Sequence, residues 1–85
     1  MGTWEYGELL SESVGVSNDG DWVMKNSTSW HDPVGDARAV SGSTVTNLNA
    51  LGAVGWELVG VTRNHIEEQF KIKVVTTYHL KRPTS

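Results

Sequence analysis

The chain contains no cysteine. That excludes disulfides and thiolate metal sites, and it removes the usual clue to redox compartment. No apolar run approaches the roughly 20 residues that crossing a bilayer requires. The opening Met1-Gly2-Thr3-Trp4-Glu5-Tyr6 lacks the basic and apolar regions of a secretory signal peptide, so the expected location is cytoplasmic. A basic surplus is also missing: 7 Lys and Arg stand against 10 Asp and Glu, a net charge of −3. Net acidity opposes phosphate binding, which argues against a nucleic-acid partner. Only two prolines occur, one in a turn-like stretch and one near the tail. With no repeat, low-complexity segment or linker, residues 1–85 are expected to form a single domain with a small core.

Charge is unevenly placed. Residues 1–55 carry two cations and seven anions (2 − 7 = −5), whereas residues 56–85 carry five cations and three anions (5 − 3 = +2). An acidic first strand lying beside a basic last strand explains this asymmetry through cross-strand pairs.

What the chain does have is punctuation. Trp4 to Val16 reads as a first strand with Trp4, Tyr6 and Leu10 on one face. Ser17-Asn18-Asp19-Gly20 is a tight-turn signal, because Asn and Asp tolerate positive φ and Gly supplies it freely. Asp21 to Trp30 reads as the returning strand, with Trp22, Met24 and Trp30 in one parity. In His31-Asp32-Pro33-Val34-Gly35, Pro presets the second position of a β-turn and Gly suits the fourth. Asp36 to Gly42 reads as a polar connection.

Ser43 is the predicted N-cap of a helix running to about Val54, with Val45, Leu48, Leu51 and Gly52 along one side. Its residues are weak helix formers, so packing must hold it, and Gly52 suggests close approach to a sheet. Gly55 is the predicted stop, with Trp56 and Leu51 brought together by a Schellman cap. Trp56 to about Thr62 reads as a third strand that is apolar on both parities, hence partly buried on both faces. Arg63 to Gln69 reads as a polar loop. Phe70 to Arg82 alternates strictly, which predicts Ile72, Val74, Tyr78 and Leu80 buried and Lys71, Lys73, His79 and Lys81 exposed. The expected fold is therefore α+β: β-β-α-β-β, a mostly antiparallel four-stranded sheet with one helix packed on one face.

Leu48-Asn49-x-Leu51-Gly52-Ala53-x-Gly55-Trp56-Glu57-Leu58-Val59 resembles the signature of a small bacterial and phage family called "domain of unknown function 4177". Trp4-Glu5-Tyr6 is similar to that family's opening strand, and Tyr78-His79-Leu80-Lys81-Arg82-Pro83 to its closing strand. The stretch from Val14 to Gly42 is longer than the connection expected there. The resemblance implies a compact α+β module and assigns no catalytic or binding residues.

Little in the chain looks chemical. Trp30-His31-Asp32 with Asp36 matches no metal spacing, and Asp32-Pro33 is ordinary turn chemistry. His65 with Glu67 and Glu68 reads as a solvated loop. Ser41-Gly42-Ser43-Thr44 lacks the lysine and glycine spacing of a phosphate loop and reads as a helix cap. No nucleophile–base pair, metal set or cofactor loop stands out, so neither enzyme activity nor a cofactor is expected.

The four tryptophans are the oddity. Trp4 and Trp56 are assigned to the core. Trp22 is favoured for the core, and Trp30 divides evenly between core and interface. One short helix cannot cover both faces of a sheet, so a second copy is the expected cover and a homo-oligomeric binding module the expected function. The rival readings are a small-ligand or nucleotide binder with Trp30, His31 and Arg63 at its edge, including a phage-encoded protein that interferes with a host factor, and a single-stranded nucleic-acid binder. Trp30, His31, Arg63 and Trp22 are the candidate contact residues.

Overall fold

A computed structural model describes residues 3–84. One antiparallel sheet holds five strands: β1 (Trp4–Asn18), β2 (Asp21–His31), β3 (Ala37–Val40), β4 (Glu57–Glu68) and β5 (Lys71–Pro83), in the order β3-β2-β1-β5-β4. A single ten-residue helix, α1 (Thr44–Ala53), links β3 to β4. The protein is thus mostly β, which corrects the expected four-stranded α+β fold. The fifth strand, β3, lies in the stretch read as a polar connection, where Ala37, Arg38 and Ala39 give no strand pattern. It pairs only with the end of β2, from Thr28 to His31.

The turns follow local chemistry. Asp19 and Gly20 both take positive φ (51° and 85°) at the tip of the β1–β2 hairpin, the conformation that matches strand twist. The Gly35 N–H donates to the Asp32 carbonyl at 3.0 Å, and the Asp32 carboxylate accepts from the N–H groups of Val34 and Asp36. Ser43 caps α1, its hydroxyl accepting from the Thr46 N–H at 3.1 Å. The helix ends in a full Schellman motif: Gly55 has φ 97°, its N–H donates to Gly52 O at 3.1 Å, and the Trp56 N–H donates to Leu51 O at 3.0 Å.

Two expectations about strands are overturned. Arg63 to Glu68 is not a loop but the second half of β4. As an edge strand exposed on both faces, it has no alternation to read. The apolar residues of both parities at the start of that strand do not mark two buried faces either. Leu58 pairs with Leu80 and Gly60 with His79, so a bulge at Val59 resets the parity and puts Leu58 and Val61 on the same face.

Directly paired residues share a face, so the register defines two surfaces. The helix face carries Gly7, Leu9 and Gly15 of β1, Trp22, Met24 and Trp30 of β2, and Ile72, Val74, Tyr78 and Leu80 of β5. The first-strand core residue is therefore Leu9, not the Trp4, Tyr6, Leu10 set, which lies on the open face. The buried core is Leu9, Trp30, Trp56 and Leu80, with Val40, Leu48, Leu51 and Tyr78 packed against it. Trp30 and Trp56 meet edge to face at 5.1 Å. The Arg82 guanidinium stacks over Trp56 at 4.6 Å, pairs with Glu5 and reaches the Val54 carbonyl at 3.4 Å. That places a cation at the C-terminal end of α1, where the helix dipole favours it.

The molecule measures 58 × 21 × 19 Å with a radius of gyration of 15.4 Å. A compact chain of this length would have a radius of about 12 Å. The helix, roughly 15 Å long, covers one end of the sheet only. Along β5 the register keeps the predicted parity but the predicted burial is not found: only Leu80, at the covered end, is buried, while Ile72, Val74 and Tyr78 are half-buried, as are Lys73, His79 and Lys81.

Candidate functional site

The uncovered half of the sheet is the site this fold builds. On its helix face, Trp22 and Met24 lie over Gly15, with Ile72 paired to Gly15 and Val74 beside it. A Cβ on Gly15 would sit 2.6 Å from Met24 Sδ and 3.5 Å from Trp22 Cε3. The same relation occurs at the covered end, where a Cβ on Gly7 would strike the Trp30 ring. The two glycines and the two tryptophans share one spacing (15 − 7 and 30 − 22). One tryptophan is roofed by α1 and 7% exposed; the other has no cover and is 48% exposed, with Met24 at 57%. A polar belt separates the two ends: Ser11, Ser13, Asn26, Thr28 and Thr76, in which the Ser13 hydroxyl donates to Asn26 Oδ1 at 2.6 Å.

The open face of the same half carries a shallow trough of about 370 Å³ lined by Val14, Val16, Val23 and Lys25, with Ser17 and Asn18 at its end. Val14 pairs with both Lys25 and Lys73, and Val16 pairs with Lys71, so cations border the valines. Lys73 is held by Glu12 at 3.4 Å.

Nearer the covered end, the open face aligns a row that the sequence did not reveal. Thr62 Oγ1 and His79 Nε2 are 3.0 Å apart, His79 Nδ1 lies 3.6 Å from Glu8, and His31 flanks Glu8 on the other side. The residue types match a hydroxyl–imidazole–carboxylate relay. The setting is an open strand face, with the His79 and Glu8 side chains 39% and 49% exposed, and not a cleft that excludes water. The row is a set of cross-strand polar pairs.

The four candidate contact residues do not converge. Trp30 is buried in the core, and His31, next in the chain, faces the opposite side with Ser29 Oγ 3.3 Å from its Nε2. Arg63 lies on β4, three strand spacings from β2, or about 14 Å. The cation beside Trp30 is instead Arg38, in a crevice of about 210 Å³ between α1 and the sheet. Trp22, favoured for the core, is at the bare end, and Trp4 is exposed beneath Lys81, whose ammonium sits 4.2 Å above its ring. Parity alone placed Trp22, Met24 and Trp30 on one face. Only the position of the helix tells which end stays open. Among the described residues, no three His, Asp or Glu side chains are grouped to hold a metal ion, and no helix is long and apolar enough to cross a membrane.

No family model matches the chain, and no curated protein or solved structure matches it.

Proposed function

We propose that this protein is a non-enzymatic interaction module that works by self-association through the uncovered half of its sheet. The observation that carries this reading is surface. The chain exposes 5972 Å², whereas a folded 9.3 kDa monomer exposes about 5,000 Å². The surplus of roughly 1,000 Å² matches the ~800 Å² that each partner contributes to a standard interface. At the bare end Trp22 and Met24 are exposed on the helix face, and Val16 and Val23 on the open face behind them. Unpaired edges add to the surplus: β3 leaves the outer edge of β2 free from Asp21 to Ser27, and Lys25 is the only cation blunting that stretch. Sedimentation or light scattering at micromolar concentration tests the reading. A mass of two or more chains is expected, and Trp22→Ser should raise the dissociation constant at least about tenfold. A strictly monomeric mass across that range overturns it.

A second reading rests on the valine trough. Apolar walls rimmed by Lys25, Lys71 and Lys73 suit a small anionic ligand with an aliphatic body. A thermal-shift panel of aliphatic carboxylates tests it, since ligand at 100 times its dissociation constant adds about 2.7 kcal/mol. Lys25→Glu should remove any such shift.

A further inference from the structure

The chain is stepped: a thick end, where α1 lies on the sheet, and a thin end of bare sheet. We propose that two copies pair head to tail with their helix faces together, so that α1 of each copy fills the step of the other and covers its Trp22, Met24, Ile72 and Val74. This rests on the self-association reading above and specifies its geometry.

Three observations point to a second copy as the occupant. First, the outer side of α1 is unlike a solvated helix face. Its outward positions are Val45, Thr46, Asn49, Gly52 and Ala53, and the helix carries no charged residue at all. Surface helices normally turn charges outward. Gly52 was expected to allow close approach to the helix's own sheet, yet a Cβ there meets nothing within 4 Å. A mid-helix glycine is destabilising relative to alanine, and none of the described residues lies close enough to require it. A partner surface lying against α1 does.

Second, the dimensions are self-complementary. The midpoint of β1 is Ser11, inside the polar belt. A twofold axis running across the strands at that level exchanges the covered and bare ends. The result is a three-layer sandwich, sheet–helix–sheet, with both helices in the middle layer. A helix is about 10 Å thick, so each one spans the gap between its own sheet and its partner's. The polar belt then falls between the two helices, where Ser11, Ser13, Asn26, Thr28 and Thr76 meet water rather than apolar side chains.

Third, the bare patch repeats the covered one. Trp22 over Gly15 reproduces Trp30 over Gly7 along the same two strands, so each copy offers two like seats for a helix and fills only one from its own chain.

The absence of native cysteine allows a direct test. The full-length single variants Ala53→Cys, on the outer face of α1, and Met24→Cys, on the bare patch, are unfolded together, refolded and treated with a short bismaleimide. The pairing predicts a cross-linked species in the mixture and none with either variant alone, because like residues sit at opposite ends of the dimer. Ala53→Glu should raise the dissociation constant at least about tenfold while the far-ultraviolet circular dichroism of the chain is unchanged. Cross-linking of Met24→Cys with itself, or an associated mass with no cross-link in the mixture, overturns the head-to-tail arrangement and leaves self-association standing. A monomeric wild-type mass overturns both.

Discussion

At one end of β1, Gly7 lies beneath Trp30, and α1 closes the pair off from water; at the other end Gly15 lies beneath Trp22 and Met24, open to solvent. The strands, the register and the residue types are nearly the same at both ends. The difference is cover: α1, with Val40 before it and Trp56 after it, lies over one end only. It turns one end into a core with two fully buried leucines, Leu9 and Leu80, and leaves the other half-exposed on both faces. A sheet supplies hydrogen bonds along its whole length, but a core forms only where a second layer covers it.

The comparison is most easily broken by truncating matched residues. Leu9→Ala should cost about 2–5 kcal/mol, because the side chain is fully buried and the rigid surround leaves a cavity. Ile72→Ala, in the half-buried bare end, should cost under half as much when measured by urea unfolding of dilute, dissociated protein. Equal losses would mean that the two ends are equally packed and that the helix is not what separates them.

A subtler contrast lies in the two glycines. Gly7→Ala drives a methyl group into the ring of the buried Trp30, and overpacking of this kind costs about 1–3 kcal/mol. Gly15→Ala meets the end of the Met24 side chain, which is free to swing into solvent. It should change the unfolding midpoint little in dilute protein. If both variants lose the same stability, Met24 is as fixed as Trp30 and the bare end is already ordered. The helix stop offers a separate test of what holds α1. Gly55 has φ 97° with open space around it, so Gly55→Ala introduces backbone strain without a clash and should cost about 1–2 kcal/mol. A neutral result would show that α1 is held by its sheet contacts alone.

Features written into adjacent residues were legible in the sequence. Asp19-Gly20, Asp32-Pro33-Val34-Gly35, Ser43 and Gly55 all take the conformations that their side chains, or lack of them, require. Features set by tertiary context were not. The β4–β5 hairpin closes on Gln69 and Phe70, and neither is a positive-φ residue, so no turn signal marked it. The upper half of β4 is polar on both faces and read as loop, and β3 is held by pairing rather than pattern. The bulge at Val59 made one apolar face look like two. Trp22 and Trp30 are indistinguishable by parity, because which of them is buried depends on where α1 comes down. The row joining Thr62, His79, Glu8 and His31 depends on three strand pairings and had no local signature.

The pairing of β1 with β5 at the centre of the sheet also sets the order in which the structure can arise. The β1–β2 and β4–β5 hairpins join sequence neighbours and can zip within microseconds, yet a two-stranded hairpin is at best marginally stable by itself. What unites them is the contact of Leu9 with the strand carrying Leu80, across nearly the whole chain. Closing so large a loop is costly before any burial offsets it, and pairings so distant in sequence slow folding. Leu9 is therefore among the first core residues synthesised and must wait for the last strand before it leaves water. Until then both hairpins present bare apolar faces, and the end that α1 never covers keeps that character in the finished chain.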